Sequence, residues 1–279
     1  MLSVKYVALT SCRNEERFIQ QTIRRVLSQE PPPSCYVVVD DASTDNTAAI
    51  ISEENRVELL SLINPRHPIR GVNLAWALNA GVERVTEFVP DWDFLLKVDA
   101  DSVLPVDYFQ QLLYQLEGNP SLGVVSGMPF DEKVWRGRAS DGAKVYRRKC
   151  LDDISPFYPC NAFDTLAFIQ AKKHNWNVES FPEIKYVQLR TWRRRRLSRW
   201  VLSGRSRYYL GFPSWHTFLI SFAYATHRPP IIGSSSMFLS HLLTRMGSPR
   251  RPLSRDYYSF VPKYALQEAL ERFRERRLR

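Results

Sequence analysis

Phe94-Leu-Leu-Lys-Val-Asp-Ala-Asp-Ser-Val-Leu-Pro105 is an apolar run that drives straight into two carboxylates one residue apart, Asp99 and Asp101. A short apolar segment of this kind reads as a buried strand. Alternation at the strand end sets both side chains on the same side of a cleft. Two carboxylates in one site repel each other unless a cation neutralises them. Hard oxygen ligands suit Mg2+ or Mn2+, and such ions commonly take one or two carboxylates plus substrate phosphates. Asp-x-Asp also occurs in ordinary solvated turns after core strands, so its meaning depends on the rest of the chain.

Before this run, residues 4–10 are apolar and rich in β-formers, which predicts a buried strand. The loop Ser11-Cys-Arg-Asn-Glu15 follows. Phe18, Ile19, Ile23, Val26 and Leu27 then recur at helical spacing, predicting a helix over residues 16–29 that Pro31, Pro32 and Pro33 stop. Residues 36–39 predict a second strand ending at Asp40-Asp41-Ala-Ser-Thr-Asp45, where Ser43 or Asp45 caps a helix over residues 46–54. Strands over 57–63, 93–98 and 123–127 alternate with helices over 72–85 and 107–117. Residues 133–149, rich in Arg and Lys, read as an irregular segment crossing the cleft. A helix over 164–175 and short strands over 178–181 and 185–189 complete this part. The rhythm implies an α/β fold with a doubly wound, mixed but mostly parallel sheet. Ligands sit beyond the carboxyl ends of such strands. Here those ends carry Arg13 and Glu15, then Asp40 and Asp41, then Asp99 and Asp101.

The chain has 279 residues, 44% of them hydrophobic, which is enough for one large packed domain with an appendage. Its formal charge of +10 is unevenly spread: residues 1–189 sum to −5 and residues 190–279 to +15. This places a boundary near Arg190, between a domain over 1–190 and a basic helical region over 191–279. The basic region asks for an anionic partner: phospholipid, nucleic acid or a phosphate-bearing substrate. Cys12, Cys35, Cys150 and Cys160 have no metal-ligand spacing, and residues 4–10 enter a strand without a leader pattern, so a cytosolic location is expected. The five histidines also lack ligand spacing and read as surface or packing residues.

Leu9-Thr-Ser-Cys-Arg-Asn-Glu-Glu16, Val38-Val-Asp-Asp-Ala-Ser-Thr-Asp-Asn-Thr47, Asn79-Ala-Gly81 and Lys97-Val-Asp-Ala-Asp101 together resemble family 2 glycosyltransferases of GT-A fold, over residues 3–190. The resemblance implies a Rossmann-like sheet and a nucleotide pocket lined by Ser11, Arg13 and Glu15. Asp40 or Asp41 would bond the base or ribose. Asp99 and Asp101 would be the Asp-x-Asp motif, with Asp101 nearest a Mn2+ or Mg2+ ion that bridges the donor diphosphate. A cation there stabilises the charge left on the diphosphate when the glycosidic bond breaks, and Arg147 and Arg148 are candidates to assist. Inverting transfer needs a general base. The family supplies it from an acidic pair at a helix start, which matches Phe163-Asp164-Thr165 with a single acid, so Asp164 is the expected base. Its other role would be a helix cap, and Asp152 and Asp153 are alternative bases.

Arg196-x-x-Arg199-Trp200 resembles the (Gln/Arg)-x-x-Arg-Trp motif with which processive members hold the acceptor. Residues 208–226 then carry no Lys, Arg, Asp or Glu. Their aromatics and the flanking arginines predict helices lying in a membrane interface, peripheral or monotopic on its cytoplasmic face. The expected activity is therefore transfer from a UDP- or GDP-sugar to a lipid-linked acceptor such as a polyprenyl phosphate. The alternatives are a soluble transferase acting on a polysaccharide, protein or small molecule, a catalytically dead binding module, and a nucleic-acid-binding protein. Against the last, an acidic cleft repels phosphate unless metal is present, so no nucleic acid partner is expected.

Overall fold

Strand β1 (Tyr6–Cys12) alternates its side chains between two apolar layers: Tyr6 and Ala8 face one, Val7 and Leu9 the other. A strand buried on both faces reads as a continuous apolar run, and that is what the first strand shows. The computed structural model describes residues 4–63, 67–130, 135–190, 197–227 and 229–277. The chain divides into two compact units, Met1–Arg190 and Thr191–Arg279.

In the first unit, β1 leads to α1 (Ile19–Leu27), β2 (Cys35–Asp40), α2 (Thr47–Ser52), β3 (Glu58–Ser61), α3 (Arg70–Phe88) and β4 (Phe94–Asp99). There follow β5 (Ser102–Val103), α4 (Tyr108–Gly118), β6 (Leu122–Pro129), β7 (Ala143–Arg147), α5 (Arg148–Ile154), α6 (Phe163–Lys173) and β8 (Asn177–Gln188). Among the described residues the sheet has eight strands in the order β3-β2-β1-β4-β7-β6-β8-β5. Strands β3, β2, β1 and β4 are mutually parallel; β7 runs antiparallel to both β4 and β6, and β8 is parallel to β6. Helices α1 and α4 bury Ile19, Ile23, Val26, Phe109 and Leu112 on one face. Helices α3, α5 and α6 bury Leu78, Val85, Leu151, Phe163 and Phe168 on the other. Each such fully buried side chain contributes about 1.5–3 kcal/mol. Gly81 lets α3 press on β1, since a Cβ there would lie 2.3 Å from Leu9 Cδ1. Asn79 fixes the same helix by exchanging two hydrogen bonds with the backbone of Phe157. The Asn-Ala-Gly motif is thus a packing device.

Two expectations are corrected. Residues 143–149 are not part of an irregular crossing: Ala143–Arg147 is strand β7, inserted between β4 and β6, and α5 starts at Arg148, while 133 and 134 lie outside the described residues. Residues 178–181 and 185–189 belong largely to one strand, β8, which is irregular in register against β6. The four cysteines are free, and Cys12 and Cys150 are buried.

The second unit contains α7 (Leu197–Tyr209), α8 (Ser214–Ala223), α9 (Ile232–Met246) and α10 (Arg255–Arg277). Trp200 is fully buried and packs with Ile220, Met237 and Tyr224. Helices α7 and α9 touch at Gly204, where a Cβ would sit 2.1 Å from the Met237 carbonyl oxygen. Backbone cannot yield as a flexible side chain does, so Gly204→Val is expected to cost about 1–3 kcal/mol. A lowered Tm with faster proteolysis inside residues 197–277 checks this. His216 and His241 are buried, and burial lowers the pKa of each to about 4, so both are neutral packing residues. No helix among the described residues is long and apolar enough to cross a membrane.

Candidate functional site

The parallel strands deliver their carboxyl ends to one edge of the sheet. Ser11 lies in register between Val39 of β2 and Asp99 of β4, and Cys12 pairs with Asp40. The loop after β1 is held by side chains rather than regular structure. Asn14 sits in the left-handed region at φ 52°, accepts from the Thr44 N–H at 2.8 Å, and its own N–H donates to Ser43 Oγ at 2.9 Å. The Glu15 N–H donates to Thr47 Oγ1 at 2.7 Å, and Arg13 donates to the Asp41 carbonyl at 3.1 Å. The Asp-Asp-Ala-Ser-Thr-Asp segment is therefore a scaffold for the first loop. Asp40 is buried and its carboxylate accepts from the Ser43 N–H and hydroxyl. Asp41 lies half-buried beside it. Asp45 does not cap from the position before the helix; it accepts from the N–H and hydroxyl of Thr47, within the first turn of α2.

Asp99 closes β4, and its N–H donates to the Gly142 carbonyl at 2.7 Å. Its carboxylate meets Lys97 Nζ and its side chain is 33% exposed, which leaves one side open. Asp101 is nearly buried, with Arg190 Nε 3.9 Å from Oδ2. Arg190 also pairs with Glu15 and lies over the Phe18 ring at 5.4 Å. Burial raises the Asp101 carboxyl above its ordinary range and the Asp99 charge adds to this, while Arg190 opposes it. Burial likewise raises Glu15, against the hydrogen bond and charge of Arg190.

A second group of charges reaches Asp164 from the same edge. Lys97 and Lys144 stand directly opposite each other on β4 and β7. Both are buried, and like charges in that arrangement repel. Each has acidic partners. Lys97 takes Asp99 and donates to the Asp141 carbonyl at 2.8 Å. Lys144 Nζ lies 2.6 Å from Asp164 Oδ1 and 3.5 Å from Asp141 Oδ1. Burial alone would lower the Lys144 pKa, but Asp164 first and Asp141 next outweigh it and raise it above that of an ordinary lysine. Asp164 does not cap its helix: Ala162 is the N-cap residue of α6 and no side chain bonds there. Its Oδ2 accepts no hydrogen bond among the described residues. The series Asp99–Lys97–Asp141–Lys144–Asp164 thus joins the Asp-x-Asp pair to the expected base.

Other candidates lie elsewhere. Because β7 runs antiparallel, Arg147 pairs with Phe94 at the start of β4, on the opposite edge from Asp99. Its guanidinium donates to the carbonyls of Leu122 and Leu116. Arg148 stacks on Trp92 and bonds Asp152, and Asp153 accepts from Trp176 Nε1. None of these four belongs to the site. Trp200, expected to hold acceptor, is a core residue of the second unit at 1% exposure. Arg199 is exposed on the first turn of α7, and Arg196 lies outside the described residues.

Sequence reasoning missed Lys97, Lys144 and Arg190. The signal for the two lysines is a cation inside an apolar strand, which is stable only beside a carboxylate. Arg190 carries no local signal, since its partner Glu15 is 175 residues away.

The raised Asp101 carboxyl gives a test on the ligand-free protein. Its charged form is disfavoured on folding, so the acid is least costly when protonated and the cost grows as pH rises through its elevated pKa. Asp101→Asn is therefore expected to raise Tm at neutral pH. The gain should shrink as the wild type is acidified to around its unperturbed value of 3.8. Calorimetric scans across that range check the sign.

Solved structures share the fold. S. aureus TarS aligns with a TM-score of 0.53 at 15% identity, covering 94% of this chain and 82% of that one. The mannosyltransferase PcManGT from Pyrobaculum calidifontis, in complex with GDP-Man and Mn2+, aligns with a TM-score of 0.57 at 15% identity, covering 96% and 86%. Glucosyl-3-phosphoglycerate synthase from Mycobacterium tuberculosis, with Mn2+ and UDP, aligns at 0.53 and 16% identity over 71% and 75%. In sequence, a poly-beta-1,6-N-acetyl-D-glucosamine synthase of Staphylococcus epidermidis is 32% identical over 127 residues, 43% of this chain and 27% of that protein. The Staphylococcus aureus (strain COL) protein of the same name is 28% identical over 124 residues, with the same coverage. This chain thus matches only about a quarter of the length of those relatives. The model of glycosyl transferase family 2 matches residues 8–168, more than half of the chain and the stretch that carries Ser11, both Asp-x-Asp carboxylates and Asp164; the chain belongs to that family.

Proposed function

We propose that the first unit catalyses inverting transfer of a sugar from a UDP- or GDP-sugar, with a divalent cation, to an acceptor presented at a membrane. The observation that carries this is the joining of Asp99 and Asp101 to Asp164 through Lys97, Asp141 and Lys144 at the carboxyl edge of the sheet. Ser11, Arg13, Glu15 and Asp41 would bind the nucleoside, with Asp40 holding their loop through Ser43.

The donor set fits Mn2+ or Mg2+. Asp99 and Asp101 offer hard oxygens, and the charged form of Asp101 is disfavoured first by burial and then by the Asp99 charge, a cost that a cation relieves. Among the described residues no cluster of three or more His, Cys, Asp or Glu is placed to hold a metal. The rest of the coordination shell would therefore come from diphosphate oxygens and water. When bound, the cation would neutralise charge developing on the departing diphosphate.

Asp164 would accept the acceptor's proton through Oδ2 while Lys144 holds Oδ1. The acceptor oxygen attacks the anomeric carbon, the bond to the diphosphate breaks, and the nucleoside diphosphate leaves. A base of this kind is needed for a hydroxyl acceptor and not for a phosphate, which is already anionic. That favours a lipid-linked glycan over a bare polyprenyl phosphate. A second reading, a polysaccharide acceptor, is favoured by the name of the staphylococcal relatives. Nucleotide release measured with polyprenyl phosphate, a lipid-linked oligosaccharide and a soluble oligosaccharide tests the proposal. Turnover stimulated by the lipid-linked glycan supports it. Stimulation by the soluble oligosaccharide alone favours the second reading, and none with any UDP- or GDP-sugar refutes both.

A further inference from the structure

Helix α8 is built inside out. His216, Thr217, Ile220 and Ser221 are buried, while Trp215, Phe218, Leu219 and Phe222 are 44%, 53%, 47% and 73% exposed. The exposed residues are spaced i, i+3, i+4, i+7 and form one stripe. Helix α9 repeats the inversion. It buries Gly233, Ser234, Ser240 and His241 along with the single large apolar Met237, and exposes Leu239, Leu243 and Met246 at 57%, 58% and 79%. The two helices are antiparallel. Ser214 at the start of α8 meets His241 and Arg245 near the end of α9, and the rings of Phe218 and Phe238 are 5.4 Å apart. The stripes therefore lie on adjacent helices.

Beside the Trp215 end lies a groove of about 410 Å³ lined by residues that include Tyr208, Pro213, Arg245, Ser248 and Arg251, with no carboxylate among its lining. The Arg251 guanidinium lies over the rings of Tyr208 and Tyr258 at 4.6 and 5.2 Å, and its buried Nε has no hydrogen-bond partner among the described residues.

We propose that the α8–α9 pair docks on an anionic bilayer, the apolar stripes entering the boundary between acyl chains and headgroups and the Arg245–Arg251 groove taking a phospholipid phosphate. This deepens the reading of a membrane-presented acceptor and rests on it. Charge selects the occupant. Residues 191–279 carry 18 Lys and Arg against 4 Asp and Glu, a net of +14. A second copy would bring the same charge to the face and be repelled, whereas an anionic surface attracts it. With 10 and 15 residues, α8 and α9 are about 15 and 22 Å long. Both fall short of the roughly 30 Å hydrocarbon core, so they lie along the interface.

Co-sedimentation of the full chain with vesicles of phosphatidylglycerol mixed with phosphatidylcholine, against phosphatidylcholine alone, tests this. Wild type is expected to bind the anionic vesicles at least about tenfold more tightly. Phe218→Ser with Phe222→Ser should abolish most of that binding, and Arg245→Gln with Arg251→Gln should remove the preference for anionic lipid. Phe218 and Phe222 lie outside the first unit and are more than half exposed, so nucleotide-sugar hydrolysis should be unchanged and Tm should fall only by the lost Phe218–Phe238 contact. Hydrolysis reads the catalytic proposal separately from docking. Undiminished vesicle binding by the Phe variant overturns the inference. So does a wild-type chain that ignores vesicles and forms a dimer that Phe222→Ser dissociates.

Discussion

Asp101→Asn is expected to lower sugar transfer by roughly a hundred- to thousandfold, while the ligand-free protein becomes more heat-stable at neutral pH. The two effects have one cause. Asp101 is buried beside Asp99, with Arg190 at 3.9 Å as a partial counter-charge. An uncharged amide relieves that crowding but gives up the anionic oxygen proposed to hold the cation. Sites that keep a destabilised charge for binding show this opposition of stability and function. Parallel measurements of kcat/KM and Tm on the variant check it. Loss of activity together with loss of stability would assign Asp101 a structural role instead.

Asp164→Asn carries the other large expected effect, a roughly hundred- to ten-thousandfold fall in kcat with a hydroxyl acceptor. Donor KM should hold, because Asp164 belongs to a separate helix and joins the Asp-x-Asp pair only through the lysines. Asn cannot balance Lys144, which is left with Asp141 at 3.5 Å, so stability should fall by up to about 3 kcal/mol. Circular dichroism at the assay temperature separates unfolding from lost chemistry. Turnover with a phosphate acceptor, which has no proton to lose, should largely survive. Undiminished turnover of a hydroxyl acceptor by Asp164→Asn would exclude Asp164 as base.

The order of strands and helices was legible because apolar runs with β-branched residues alternate with segments of helical period. Where reading failed, a charged residue broke the local pattern. Lys144 and Arg147 made residues 143–147 look solvated, yet Lys144 is neutralised within the core and Arg147 is spent on the carbonyls of Leu116 and Leu122. Without that strand Arg147 and Arg148 stood as candidates to assist at the diphosphate, although antiparallel β7 carries Arg147 to the edge opposite Asp99. Asp99 and Asp101 were legible as two carboxylates at a strand end, and Asp164 as a candidate only through the family resemblance. Their partners Lys97, Lys144 and Arg190 were not, because ionic contacts across strands and between chain ends leave no periodic trace. Trp200 misled in the opposite sense. It stands in an Arg-rich run, yet its ring fills the space between α8 and α9 beside Gly233, where a Cβ would lie 2.5 Å from Nε1.

Anchoring of a donor diphosphate by Asp99 and Asp101 through a divalent cation is read most directly by a thermal-shift titration. UDP- and GDP-sugars are added to wild type and Asp101→Asn, with Mn2+ and with a chelator. One donor is expected to raise Tm with Mn2+, the chelator to remove the shift, and the variant to show none. An equal shift in the presence of chelator, or in Asp101→Asn, would contradict it.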